Sequence, residues 1–133
     1  MITRITRSMF LVVFLSCIVT GPLSGQDAPN IVGDWKGALD VNGTVLHLVL
    51  HVANGKSGLT ASVDSIDQGA MGLPVDSIRQ EGLRLEFEMN QLNARFKGTW
   101  NATSSEYAGE WQQGQVTLPL SWKRASEGES GKK

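Results

Sequence analysis

Three groups of residues in this chain have types and spacings suited to chemistry. His47 and His51 stand four apart in an apolar run, and Glu86 and Glu88 stand two apart in LRLEFEM. The segment DSIDQGAMGLPVDSI, residues 64–78, gathers Asp64, Ser65, Asp67 and Gln68 ahead of Gly69 and Gly72. Two histidines could begin a metal site, but four residues along a strand separate them by about 13 Å, too far to share one ion at bonds near 2 Å. Glu86 and Glu88 alternate with apolar residues, which places both on the solvent side of a strand rather than on either side of a substrate. The third group is the candidate site. Its oxygens and amides would face a ligand at a barrel mouth, with backbone approach eased by the glycines. Alternatively Ser65, Asp67 and Asp76 cap their own turn with side-chain to backbone bonds. No G-x-S-x-G nucleophile elbow is present; GKSG at 55–58 lacks the spacing and the strand-to-helix setting. The expected chain is non-catalytic and binds no metal or cofactor.

A second pattern involves all four tryptophans. GDWKG at 33–37, FKGTW at 96–100 and YAGEW at 107–111 each set a glycine two residues from a tryptophan, hence on the same face of a strand. Gly33, Gly37, Gly98 and Gly109 leave holes on an inner surface that an indole can fill. On this parity Trp35, Trp100, Trp111 and Trp122 point inward. They either line an aromatic pocket for a ring or a sugar, or fill the interior of a barrel just wide enough for side chains.

The elements that must position these residues are strands. Leu83, Leu85, Phe87 and Met89 alternate with Arg84, Glu86 and Glu88; Leu46, Leu48, Leu50 and Val52 alternate with His47, Val49 and His51; Val116, Leu118, Leu120 and Trp122 alternate with Thr117, Pro119, Ser121 and Lys123. Pro119 has no amide hydrogen, which predicts a bulge or a gap in its ladder. Asn42-Gly43, Asn54-Gly55, Glu81-Gly82, residues 102–105 and Gly114-Gln115 supply reversals. Strands are predicted at 34–41, 44–53, 58–65, 74–80, 83–89, 93–101, 106–113 and 116–124, paired antiparallel in sequence order. About eight such strands close most economically into an up-and-down barrel, which removes exposed edges; an open sandwich is the alternative.

Before that domain, MITRITRS carries two arginines and no acid, a run of about a dozen apolar residues follows, and PLSGQDAPN is small and polar. This is the layout of a secretory signal, too short for a membrane span, with the cut placed after Gly25. The expected organisation is a signal peptide at 1–25, a linker at 26–30, the β-domain at 31–124 and a disordered tail at 125–133. Cys17 is the only cysteine. It is either discarded with the signal or, read as a lipobox in FLSC, lipidated to anchor an envelope lipoprotein. A periplasmic or secreted domain without disulfides rests on packing alone. Twelve basic against thirteen acidic residues, with no basic stripe, exclude a nucleic-acid partner.

The Gly33-x-Trp35 start and Arg124 at the end of the last strand resemble the calycin pattern of lipocalins. That resemblance implies a barrel whose first-strand tryptophan closes one end beneath a basic residue, a cation–π contact. A broader resemblance covers residues 32–124: G-x-W-x-G, LHLVLHV, DSIDQGAMGLPVDSI, LRLEFEM, F-x-G-x-W, G-E-W-x-Q-G and LPLSWKR. This order is similar to the β-domain preceding the catalytic domain in some exported bacterial α/β-hydrolases and β-lactamase-like serine hydrolases. It implies an accessory role, here without the hydrolase. Two functions are therefore expected: an envelope module binding a small apolar molecule or a glycan, or a protein-interaction domain acting in trans with a separately encoded serine hydrolase.

Overall fold

The computed structural model describes residues 28–125. The expected signal peptide with Cys17, residues 26–27 of the linker and residues 126–133 of the tail lie outside the described residues.

Alternation of apolar and polar side chains produces nine strands: β1 (Gly33–Val41), β2 (Thr44–Gly55), β3 (Gly58–Ser65), β4 (Ala70–Val75), β5 (Ser77–Glu81), β6 (Arg84–Met89), β7 (Ala94–Asn101), β8 (Glu106–Gln113) and β9 (Val116–Arg124). They form one antiparallel sheet in the order β4-β3-β2-β1-β9-β8-β7-β6-β5, curled into a nearly closed barrel. The strand expected at 74–80 is in fact two, β4 and β5, separated by Asp76 alone. Antiparallel alternation through the sheet gives β4 and β5 the same direction, so residues 70–81 are one continuous course that changes partners. Its first half pairs with β3 (Val63↔Leu73, Ala61↔Val75) and its second half with β6 (Ser77↔Glu88, Glu81↔Arg84). Asp76 makes the exchange. Its N–H donates to the Glu88 carbonyl at 2.8 Å, and its Oδ2 accepts the Asn90 N–H at 2.6 Å. Closure thus comes from chain continuity rather than from a complete ladder between two edges.

The turns follow the backbone chemistry of their residues. Asn42 and Gly43 both take positive φ (54° and 89°), the two-residue turn whose twist suits a hairpin, and Asp40 accepts the Gly43 N–H at 2.7 Å. At the next hairpin the expected Asn54-Gly55 reversal falls two residues later: β2 continues to Gly55, which pairs with Gly58. The β8–β9 register passes through Pro119 opposite Glu110 without a shift, so there is no bulge. Registered β1–β9 pairs are Trp35↔Arg124 and Lys36↔Lys123. Pro119 lies beyond them, where its missing amide costs no pair with β1.

The inward faces meet in one core. Trp35, Trp122, Tyr107, Phe87 and Phe96 are among its largest fully buried side chains, joined by Leu50, Leu85, Met89 and Val63. Rings contact rings throughout: Phe87 stacks on Phe96 at 5.5 Å, Trp122 lies 6.1 and 6.2 Å from the two, and Trp35 meets Tyr107 at 5.4 Å. Each such pair contributes about 0.5–1.5 kcal/mol beyond burial. Val116, expected to face inward, is exposed because it begins β9 at the barrel rim.

The glycines make room, though not always for an indole. A Cβ on Gly37 would meet Leu120 Cδ1 at 2.9 Å and Trp122 at 3.0 Å, so there an indole fills the hole. Beside Gly98 it is the Phe96 ring, and Gly109 is pressed against the backbone of Lys97 and Gly98 on β7. Backbone cannot yield as a flexible side chain does. Gly109→Ala is expected to destabilise the domain by about 3 kcal/mol, measured by chemical denaturation; a change below about 0.5 kcal/mol, the range of an ordinary surface substitution, would show that β7 and β8 have slack here.

Candidate functional site

The inner face carries the four tryptophans. Trp35 and Trp122 are fully buried, Trp111 nearly so, and Trp100 is half-buried, edge-on to Trp35 at 6.2 Å and tilted against Tyr107 at 5.1 Å. The Trp35 indole donates to the Ile31 carbonyl at 2.8 Å and the Trp111 indole to Gln113 Oε1 at 3.1 Å, whereas Trp122 Nε1 is buried with no acceptor. The four rings lie on the inner face as expected, but they pack against Tyr107, Phe87 and Phe96, and Trp35 against Trp100.

One end of the barrel is closed by residues 28–32, three of which were expected as linker. Ile31 is buried, and the carbonyls on either side of it are captured from two strands, β9 and β5. Arg124 Nη1 donates to the Val32 carbonyl at 2.8 Å, its Nη2 donates to the Asn30 carbonyl, and Gln80 Nε2 donates to the Pro29 carbonyl at 3.0 Å. The Arg124 guanidinium lies over the Trp35 ring, 4.2 Å from its centroid. Gly33, at φ 132°, passes under it: a Cβ there would stand 2.6 Å from Arg124 Nη1. Gln80 also donates to the Tyr107 hydroxyl at 2.6 Å. Burial raises the Tyr107 pKa, against the opposing pull of that bond and of Arg124. Ala125, expected in the tail, adds a bond to the Asp34 carbonyl at 2.9 Å.

At the opposite end lies the segment 64–76. Between Val63↔Leu73 and Ser65↔Ala70 one β3 residue, Asp64, faces two β4 residues, Met71 and Gly72. This is a bulge, and it needs the positive φ of Gly72 (67°). The Asp64 carboxylate holds it: Oδ1 accepts the Gly72 N–H at 2.7 Å, and Oδ2 meets His51 Nε2 at 2.7 Å. His51 Nδ1 in turn meets Asp34 Oδ1 at 2.7 Å. A relay Asp34–His51–Asp64–Gly72 therefore crosses four strands on the outer face. Asp64 is only 8% exposed and both its oxygens are engaged, so it is not a ligand-facing oxygen at an open mouth. The expectation that Asp67, Ser65 and Asp76 cap their own turn is also corrected. Asp67 Oδ2 accepts the His47 backbone N–H at 2.6 Å and meets His47 Nδ1 at 2.8 Å, Ser65 donates to Gln68 Oε1 at 2.7 Å, and Asp76 reaches Asn90. Asp67 and Asp76 thus reach neighbouring elements, and Ser65 bonds a side chain of its own segment. Gln68 is exposed.

The electrostatics follow from these contacts. Burial pulls the His51 pKa down, but the bonds to Asp64 and Asp34 and their charges outweigh it and hold the ring above its ordinary value of 6.5. Burial raises Asp64, and the Gly72 amide and then His51 outweigh that, leaving it below its ordinary value. The His47 backbone amide, then its ring, lowers Asp67. Asp34, His51 and Asp64 do not surround a common point, since each carboxylate occupies a different ring nitrogen. Among the described residues no group of three or more such side chains has the geometry to hold a metal ion.

The sequence reading missed Asp34 as a partner. The β1–β2 register places it directly opposite His51, and counting back from the Asn42-Gly43 turn would have found the pair. Elsewhere on the outer face, a concavity of about 320 Å³ over β5–β7 is lined by Ser77, Arg79, Glu86, Glu88, Arg95 and Lys97. Glu86, expected to be solvated, is bonded by Arg79 at 2.9 Å and Arg84 at 3.4 Å. Such exposed pairs stabilise little.

No family model matches the chain, and neither a curated protein nor a solved structure matches it. Among the described residues no helix is long and apolar enough to cross a membrane.

Arg124 ties β9 to the closing segment by two charged hydrogen bonds and a ring contact. Arg124→Ala is expected to lose about 2 kcal/mol in chemical denaturation and to quicken amide exchange in residues 30–35. Stability lost without faster exchange there would mean that Ile31 packing and the Trp35 and Gln80 bonds close that end without Arg124.

Proposed function

We propose that this chain is an exported, non-catalytic interaction module of the cell envelope, docking a separately encoded protein through the 64–76 segment on its surface. The observation that carries this reading is the filling of the barrel by Trp35, Trp122, Tyr107, Phe87 and Phe96, which turns the inner face into core and leaves recognition to the outside. Segment 64–76 supplies what docking needs. Ile66 (48% exposed) and Met71 (62% exposed) are two of the few large apolar side chains presented to solvent, and they stand on backbone pinned by Asp64 and Asp67. A pre-ordered loop loses less entropy on binding. Export rests on the signal layout of the first 25 residues. The partner class, an exported serine hydrolase, rests on the resemblance of residues 32–124 to domains fused to such enzymes.

A ligand inside the barrel is the second reading, favoured by the buried Trp122 N–H that lacks an acceptor. Such a guest would have to displace rings that now touch.

Co-purification from the native envelope tests the first reading: a stable complex with a hydrolase is expected, and recovery of monomer alone counts against it. The double variant Ile66→Ser/Met71→Ser is expected to weaken that complex roughly thirtyfold, as loss of about 2 kcal/mol at an apolar anchor does, with the melting temperature unchanged. Undiminished binding would move the interface elsewhere. Tryptophan fluorescence that shifts with an apolar or glycan ligand would instead favour the interior.

A further inference from the structure

The geometry points to a proton-operated latch: Asp34, His51 and Asp64 hold the Met71-Gly72 bulge of β4 closed while His51 is an imidazolium, and loss of that proton releases it. Both ring nitrogens of His51 lie 2.7 Å from carboxylate oxygens. An ionised carboxylate only accepts hydrogen bonds, and a neutral imidazole has a single N–H to give. With the neutral ring, one of these two contacts becomes lone pair against lone pair at the same short distance. One contact must then lengthen.

Asp64 is the side that gives way. Asp34 sits directly opposite His51 in an unbroken β1–β2 register, whereas Asp64 pairs with Val49, reaches His51 on the diagonal, and lies where the β3–β4 register shifts. The same carboxylate accepts the Gly72 N–H through its other oxygen. Rotation of Asp64 away from a neutral ring therefore weakens the bond that fixes the bulge. Met71 sits in that bulge, fully outside the core.

The charged groups around the latch are few. β1 contributes Asp34 and Lys36, with Lys123 of β9 paired opposite Lys36. β2 itself contributes His47, which is bonded to Asp67 of the single helical turn Ile66–Gln68. β3 contributes Asp64, and β4 contributes only the Gly72 amide. Because the folded His51 pKa is raised, its contribution is whole below about 6.5 and fades as pH climbs through the raised value. Because the folded Asp64 pKa is lowered, its contribution is whole above its ordinary 3.8 and fades as pH falls through the lowered value. The latch is closed between those limits. Its consequence, a docking segment that is ordered in mildly acid surroundings and looser above them, rests on the function proposed above.

Nuclear magnetic resonance of the full chain from about pH 5 to about pH 9, the range in which a histidine changes charge, tests this. The His51 ring and the Gly72 amide are expected to share one inflection above 6.5, with the protection of Gly72 from exchange, after correction for hydroxide catalysis, roughly tenfold lower on the alkaline side. His47→Gln is expected to leave that inflection in place, and His51→Gln to abolish it at Gly72. A Gly72 amide that stays silent while His51 titrates overturns the latch, as does a His51 inflection at or below 6.5. Should His51→Gln fail to fold, Asp34→Asn, which leaves the Asp64–Gly72 bond in place, is expected to lower the inflection; an unchanged midpoint overturns the proposal equally. The two claims fail separately: binding left undiminished in Ile66→Ser/Met71→Ser overturns the docking reading and leaves the His51–Gly72 titration intact, whereas wild-type docking without pH dependence overturns the latch alone.

Discussion

Closing a sheet requires its two outermost strands to find partners, and in this protein a single course of chain, residues 70–81, serves both. It leaves β3 and joins β6 at Asp76, whose backbone and side chain both bond the β6 end of the sheet. The constraint has two consequences. The course cannot pair fully along either neighbour, so the barrel is nearly rather than completely closed. The first half must also bend to make the change, and the bend is the bulge at Met71-Gly72. The Asp64 carboxylate that steadies this bulge is in turn steadied by His51 and Asp34. The most distinctive polar structure of the molecule is thus a response to the geometry of closure.

The two ends of the barrel are finished by different physics. At one end a cation over an indole, with two bonds to backbone carbonyls, ties the last strand to the segment that enters the first. The same end buries Ile31 and uses Gln80 and Tyr107 as a further tie. At the other end single helical turns, Ile66–Gln68 and Asn90–Leu92, each closed by a left-handed residue, Gly69 or Asn93, turn the chain over the rim. Apolar side chains are sealed in at the first end and partly presented at the second. That asymmetry is the ground on which docking is proposed for the 64–76 side.

Much of the fold was legible because period-two alternation is a direct imprint of a two-faced strand. Leu85, Phe87 and Met89, or Leu48, Leu50 and Val52, could hardly be arranged otherwise. The inward tryptophans were legible for the same reason. What alternation does not encode is the neighbour on each side. A strand at 74–80 looks unbroken in sequence, yet its partner changes at Asp76, and only the curvature of the closed sheet decides where. The candidate site failed in a related way. Asp64 was recognised, but its partners come from β1 and β2, and a cross-strand relay appears only once register is known. His47 is matched with Asp67 and His51 with both Asp34 and Asp64, partners from other elements that spacing along one strand does not reveal. The reversal near Asn54-Gly55 slipped because β2 and β3 gained two more pairs by extending.

The central claim is that residues 70–81 close the barrel by pairing with β3 and β6 in succession. Cross-strand nuclear Overhauser effects in the intact chain test it most directly. The account predicts contacts of Val75 with Ala61 and of Ser77 with Glu88 in the same molecule, together with a protected Asp76 amide. Contacts to β3 continuing through Ser77 and beyond, with β6 left unpaired on that side, would contradict it and describe an open sheet.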